Sequence, residues 1–533
     1  MLPSIFNDVI GPVMRGPSSS HCAAALRIGR LARDLVGGLP EKVLVEFDRA
    51  GSLPTTHTSQ GSDMGLFGGL LGWDAHDARL TQATTAVEDA GCRVTFSTVD
   101  VGDPHPNTYR LTLTRGEETH SLRAISTGGG MIEVLAIDEV TLSIYGDFAE
   151  TLVWCLDAAA AEGLTATLRE DLSGFVVESL EVHAGQGGPL VQVRSRTPMT
   201  DALLRRLEEC DGVTLVRPLG AVLPVLSGGS ASAAFTSAAE LLRVDAGRHL
   251  PLWQHAVAYE CGRGGLSEAE VIGRMQEIVA ILEASIAEGI AGTTYDDRVL
   301  PAQAPLFKAA LDSGKLLGDE TLNRIVLATT ALMDVKSSMG VIVAAPTAGA
   351  CAALPAAVIT VARLRDLDEE AMARAMLAAG LVGIFITSAW SFAAEVGGCQ
   401  AEGGSASAMA AAALVTLADG SLEQALAAAA MALQSMLGLI CDPVANRVEV
   451  PCLGKNVMAA TNALACANMA LAGFAEVIPF DEVVTAARHV SEQMPRELRC
   501  TALGGLAITP TSQAIEARLA VRAGATCGSC SCG

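Results

Sequence analysis

The chain has 533 residues, half of them hydrophobic, and carries 59 acidic against 36 basic side chains, a formal net charge of −23. That composition excludes a disordered chain. So strong an acidic excess leaves nothing to neutralise phosphate, which argues against nucleic-acid partners and against docking on anionic membranes. At roughly 100–200 residues per domain the length predicts about three domains.

In chain order, residues 1–133 mix strand and helix signals. Val43–Phe47 and Arg93–Ser97 read as strands, Ala23–Leu35 and Leu80–Ala90 as helices, and Tyr109–Thr114 with Leu122–Thr127 as a strand pair. Residues 134–245 are expected to form a separate module and linker. Its strands are placed at Glu139–Tyr145, Leu164–Leu168, Ser179–His183 and Leu190–Ser195. Its helices are placed at Phe148–Ala160 and at Thr200–Glu209, with Thr200 as N-cap. That order predicts a small ferredoxin-like sandwich and resembles ACT regulatory modules.

Residues 246–520 change character to long apolar or amphipathic helical segments: Glu268–Ala287, Asp319–Met333, Glu369–Ala394, Ala406–Ala418, Leu422–Leu439, Met458–Ala472 and Phe480–Gln493. The fold class expected is an α+β N-terminal part followed by an all-α C-terminal domain. Ala375–Ala394 is as long as a membrane span, but its Ala, Gly and Ser content and its Ala-rich surroundings fit a buried core helix. Residues 521–533 end in a tail carrying Cys527, Cys530 and Cys532. MLPSIFNDVIGPVMRG lacks the basic and apolar regions of a signal peptide, so a cytoplasmic, reducing setting is expected. There the 14 cysteines act as core residues, metal ligands or reactive thiols.

Three cysteines stand beside glycine, proline or acid: Cys399 in GGCQAEGGSASAM, and Cys441 and Cys452 at the two ends of CDPVANRVEVPC. Each lies at a predicted helix edge, where backbone N–H groups are free to bond thiolate. Three thiolates suit a [4Fe–4S] cubane with one open iron; three buried hydrophobic cysteines are the plain alternative. Zinc is disfavoured because no histidine lies at ligand spacing. Ser18, Ser19, Ser20 and His21 open a helix, an arrangement that binds a carboxylate or simply caps. His105-Pro106-Asn107-Thr108 is a polar turn before a strand, and Thr347 to Gly349 lie in a polar loop after an apolar run. Lysine is scarce, with five in all, which draws notice to Lys336.

Taken together, GPVMRGPSSSH, PHPNT and STGGG resemble the β part of bacterial iron–sulfur L-serine dehydratases (ammonia-lyases). SSMGVIVAAPTAGACAALPA, GGCQAEGGSASAMAAAA, CDPVANRVEVPC and MPRELRCTALGGLAITPT resemble the α part. The two parts stand fused, β first. The resemblance implies a pyridoxal-phosphate-free elimination on a β-hydroxy amino acid, by default L-serine. It implies a [4Fe–4S] cluster on Cys399, Cys441 and Cys452. It places Ser18, Ser19, Ser20, Asn107, Thr347 and Gly349 at the substrate and His21, His57, His105 and Lys336 among the catalytic candidates. It implies a homodimer, no nucleic acid and no membrane. In some relatives a terminal cysteine caps the cluster, which makes Cys532 a further candidate ligand.

Several positions depart from the family pattern. Gln60 stands where a histidine is expected, with His57 three residues earlier as a replacement or a surface residue. Lys336 replaces an asparagine, Thr294–Arg298 replace a glycine-rich segment, and Ala445-Asn446-Arg447 replace Ala-Gly-Leu. Lys336, Arg298 and Arg447 add positive charge, so the same elimination on a more anionic or a thiol-bearing amino acid is the alternative activity. Lys336 is also a candidate base. A non-catalytic iron–sulfur sensor is the alternative from another class.

Overall fold

The computed structural model describes residues 2–170, 175–227 and 233–526. The candidate ligand Cys532, with Cys527 and Cys530, lies outside the described residues. Strand β1 (Val13–Met14) leads into a wide π-type turn over Ser19–Ala23, continued by the helix Ala24–Leu35. Strands β2 (Lys42–Asp48), β3 (Arg93–Val99), β4 (Thr108–Arg115), β5 (Glu118–Gly128), β6 (Met131–Ile137) and β7 (Val140–Ile144) form one sheet in the order β3-β2-β4-β5-β6-β7. Only β2 and β3 are parallel neighbours. The strands alternate as a half-buried sheet must: Tyr109, Leu111 and Leu113 of β4 point into the core.

The helices Ala24–Leu35 and Ser62–Leu70 cross over that sheet in backbone contact. A Cβ at Gly65 would lie 2.0 Å from the Cys22 carbonyl oxygen, and one at Gly69 would lie 2.1 Å from that of Leu26. This crossing fixes the Ser18–Cys22 turn against the loop that carries Gln60. The expected helix Leu80–Ala90 divides into a 3-10 turn, Ala78–Gln82, and the helix Ala83–Asp89. The sheet runs on to Ile144, beyond the expected boundary at 133, so the strand expected at Glu139–Tyr145 belongs to this sheet and not to the small module.

The small module is β8 (Ala149–Cys155), helix Ala158–Glu170, β9 (Val177–His183), β10 (Leu190–Ser195), helix Asp201–Glu208 and β11 (Val213–Leu219). Its strand order is β11-β8-β10-β9, all antiparallel. This is a βαββαβ arrangement, but two elements exchange character. The segment expected as a helix at Phe148–Ala160 is mostly strand, because Thr151, Val153 and Trp154 prefer the pleat. Asp157 accepts a hydrogen bond from the Ala160 N–H at 2.9 Å and starts the helix there, which absorbs the strand expected at Leu164–Leu168.

The remaining chain is helical and follows the expected segments closely. The main elements are Leu252–Gly264, Glu268–Ala291, Glu320–Ser337, Ala353–Leu364, Glu369–Ala389, Ser405–Leu417, Leu422–Gln434, Cys452–Leu471 and Phe480–Gln493. Glu369–Ala389 is long and apolar enough to cross a membrane, but 78% of its most apolar window is buried inside the protein. It stops at Trp390 and does not run to Ala394 as expected. Beyond it the Ser391 hydroxyl accepts the Ala393 N–H, and Gly128 at the end of β5 meets Ala393 so closely that a Cβ there would lie 3.1 Å from it. The break ends in a short helix, Ala394–Gly397, that sets Glu395 at the junction with the N-terminal sheet. Strand β12 (Ile342–Val343) pairs antiparallel with β1 and ties the two regions together.

Candidate functional site

Cys399, Cys441 and Cys452 come from three separate elements. Cys399 precedes a π-type turn over Gln400–Gly404. The Cys441 N–H donates to the Leu498 carbonyl at 2.9 Å. Cys452 is the first residue of its helix, where N–H groups are unpaired within the helix. The three are 5%, 5% and 7% exposed, and every cysteine among the described residues is a free thiol. Cys441 packs against Cys399 and Cys500, and these neighbours with burial push its thiol well up. Burial, then Cys399, also raises Cys452. Lys455, one turn beyond Cys452, donates to Asp442 Oδ1 and the Ile440 carbonyl at 2.7 Å each and approaches Cys399 Sγ to 3.6 Å. Burial opposes its charge, but Cys399, Asp442 and Cys452 together hold its pKa above the ordinary lysine value.

Among the described residues no three His, Cys, Asp or Glu side chains converge on one metal-ion position. The donors are instead soft thiols from separate elements, with a cation beside them, which suits a larger sulfur-bridged core. Cys441, Cys452 and Cys500 line one cavity with Ser18, Gln60, Gly349, Glu395 and Glu402, and Cys399 packs on Cys441 and Cys500.

The serine turn forms a wall of that cavity. Ser18 Oγ lies 3.0 Å from His21 Nδ1, Glu395 Oε1 lies 3.4 Å from the same nitrogen, and His21 Nε2 lies 2.8 Å from Thr56 Oγ1. Burial, with the nearby charge of His57, lowers His21 to about 3, so its imidazole is neutral at pH 7. Ser19 Oγ accepts the Ala348 N–H at 3.2 Å, joining this turn to the Thr347–Gly349 loop; Ser20 is buried beside it.

Two buried carboxylates face the same space. Burial and the neighbouring Glu402 push Glu395 up to about 7, against its own backbone N–H and Asn107. Glu395 Oε2 and Asn107 Nδ2 are buried without a hydrogen-bond partner, while Asn107 Oδ1 accepts the Ser52 hydroxyl. Burial also raises Glu402, which accepts the Thr347 hydroxyl at 2.7 Å. A Cβ at Gly349 would lie 2.7 Å from that same Glu402 oxygen, so the glycine makes room for the carboxylate.

Other sequence-derived candidates lie further out. His57 pairs with Asp63 at 2.6 Å and stacks on Phe96, away from the cysteine cavity. His105 accepts the Asn107 N–H and lines a different cleft, with Asp8, Trp390 and Ser391. Lys336 is fully buried; its ammonium donates to the Val448 carbonyl and acts electrostatically on Glu402 and Cys452. Arg298 is held by Asp334 at 3.1 Å and Arg447 by Asp297 at 2.6 Å, so neither arginine is an unpaired cation awaiting an anion.

Sequence reasoning overlooked Glu395, Glu402 and Cys500 as cavity residues. Glu402 sits three residues after Cys399 in an otherwise apolar Ala/Gly run, a signal available in the sequence. Glu395 and Cys500 are placed by tertiary contact alone.

Comparison with known proteins places the chain among serine dehydratases. The family model described as "Serine dehydratase alpha chain" matches residues 247–507. A "Probable L-serine dehydratase, alpha chain" of Bacillus subtilis is 36% identical over 54% of this chain and 95% of its own length. The corresponding probable beta chain of that organism is 41% identical over 28% of this chain and 67% of its own length. An "L-serine dehydratase" of Streptomyces coelicolor is 28% identical over 92% of this chain and 96% of its own length. These relatives define an enzyme of the ammonia-lyase class. The chain belongs to the L-serine dehydratase family.

Proposed function

We propose that the chain deaminates L-serine to pyruvate and ammonia by a [4Fe–4S]-dependent, pyridoxal-phosphate-independent elimination. The observation that carries the reading is the meeting of Cys441 and Cys452 with two buried carboxylates and the serine turn in one cavity, with Cys399 packed behind. Cys399, Cys441 and Cys452 would hold the cluster. When bound, it would supply a Lewis acid that makes the substrate hydroxyl a better leaving group.

The remaining chemistry falls to the chain's own residues. Ser18–Ser20, at the unpaired start of a helical segment, receive the substrate carboxylate through hydroxyls and N–H groups. Lys336, buried without a carboxylate within ion-pairing distance among the described residues, adds positive charge on that side. Glu395, with one unpartnered oxygen, accepts the α-proton, its other oxygen lying 3.4 Å from Nδ1 of the neutral His21. The Cα–H electron pair becomes the Cα=Cβ bond as the Cβ–O bond breaks, and the oxygen leaves as hydroxide, which with the proton taken by Glu395 makes up the water lost. The released enamine takes back a water and yields the 2-oxo acid and ammonia. Thr347 and Gly349 fix Glu402, and the unpartnered Asn107 amide is free to meet the substrate. His57 and His105 support the walls from outside the cavity. The paired state of Arg298 and Arg447 favours plain L-serine over a more anionic substrate.

The βαββαβ module is read as an ACT-like ligand receiver, the enzyme as a cytoplasmic homodimer. Turnover of a panel tests the substrate: L-serine is expected to exceed L-threonine, L-cysteine and O-phospho-L-serine. Faster turnover of phosphoserine would overturn the assignment. Light scattering of the purified chain checks for the dimer mass.

A further inference from the structure

A second cavity, of about 400 Å³, opens where three regions of the chain meet. The helix Ala24–Leu35 lends it Leu26 and Arg27, the segment after β11 lends Val222 and Leu223, and the helix Glu268–Ala291 lends Arg274 and Ile281. It shares no lining residue with the cysteine cavity. Most of its wall is apolar, and its volume is that of a small-molecule site, far above the voids of ordinary packing.

Arg27 sets the chemistry. It is only 4% exposed, yet among the described residues no carboxylate lies within ion-pairing distance of its guanidinium. Its Nη1 donates to the Gly130 carbonyl at 2.6 Å and lies 3.6 Å from Met131 Sδ. Asp8 acts on it from further away and lines the other cleft, beside His105. Burial lowers Arg27 to about 10, so it stays charged at pH 7. A buried charge is costly until an anion answers it. Arg274, half-buried, lines the same cavity and also has no ion pair among the described residues; its charge reaches Glu260 and Glu270 only from a distance. The acids at the cavity are not spare: Asp74 is held by Arg30 at 2.9 Å, and Glu277 is exposed. No buried carboxylate is left to receive an ammonium group.

We propose that this cavity binds a short branched aliphatic carboxylate without an amino group, its carboxylate on Arg27 and Arg274 and its hydrocarbon end against Phe6, Val222 and Ile281. The anion answers a buried cation that the fold leaves unpaired, and the tail fills apolar space. The helix Ala24–Leu35 continues the serine turn, and β11 is the last strand of the small module, so one bound molecule touches both regions. Binding needs neither iron nor turnover, and the proposal therefore stands apart from the reading of the cysteine cavity.

Isothermal titration calorimetry of the purified full chain tests it, with isovalerate as the probe. The wild type is expected to bind isovalerate saturably. Isovaleramide, which has the shape without the charge, and L-valine, which adds an ammonium group, are expected to bind at least about tenfold more weakly. Arg274→Gln is expected to weaken isovalerate by about tenfold. Ile281→Trp fills the cavity without touching a charge and is expected to abolish binding. Both residues are only partly buried, so both variants are expected to fold, as circular dichroism will read. No saturable heat with the wild type overturns the proposal. So does equal binding by wild type and Ile281→Trp, which puts the site elsewhere. L-valine binding more tightly than isovalerate also overturns it, because the ligand class is then an amino acid.

Discussion

Gly349 shows how a single hydrogen can set the shape of the cavity. Any side chain there must displace the Glu402 carboxylate, which Thr347 holds at 2.7 Å. Gly349→Ala is therefore expected to lower kcat by about 10–100-fold, the usual cost of roughly 1 Å of misplacement at a reacting centre, with little change in melting temperature. Steady-state kinetics beside a thermal melt checks this. At Glu395 the expectation is sharper. Glu395→Gln keeps the shape and removes the proton acceptor, so kcat should fall by at least about 100-fold with the fold intact by circular dichroism. Wild-type turnover in that variant would return the base role to Lys336. At this scale the sequence was legible where chemistry is written into local motifs. Cys441 and Cys452 bracket a recognisable segment, and Ser18–His21 open a helix. It was not legible where partners are far apart in the chain, as Gln60 and Cys500 are, because nothing near either residue announces the other.

Elements carry the site through close backbone crossings and through buried charge. The helices Ala24–Leu35 and Ser62–Leu70 touch at Gly65 and Gly69, where a Cβ would strike a carbonyl oxygen. Gly65→Ala is expected to destabilise the protein by ~1–3 kcal/mol through overpacking, read as a lower denaturation midpoint. In the small module, burial pushes Glu150 up to about 7 from an ordinary 4.5, against the pull of Arg194 and Gln192. Between those pH values the unfolded chain has lost the proton that the folded chain still holds. Stability from this group is therefore present at low pH, falls as pH rises from about 4.5 to 7 and is flat above. Glu150→Gln is expected to gain melting temperature relative to wild type over that window; a difference that does not vary with pH would refute the shift. The helices of the C-terminal region were legible because apolar periodicity there is long and unbroken. The strand at Ala149–Cys155 was not, because its alanine-rich flank reads equally as helix until Asp157 caps it. Nor was the break at Trp390, which comes from contact with the end of β5.

Across the whole molecule, the site exists because two regions meet. The N-terminal region supplies the serine turn and Gln60, the helical region supplies the cysteines and both carboxylates, and β1 pairing with β12 binds one to the other. That division matches the separate alpha and beta chains of the Bacillus subtilis relatives, here joined in one polypeptide. The central claim is that this shared cavity eliminates water from L-serine through a cluster held by its cysteines. The most direct measurement is pyruvate formation from L-serine by the anaerobically reconstituted full chain, wild type beside Cys441→Ser. The account predicts rapid pyruvate from the wild type, lost on exposure to air, and none from the variant. Pyruvate formed equally by both proteins, or by neither although the wild type carries its iron and sulfide, would contradict it.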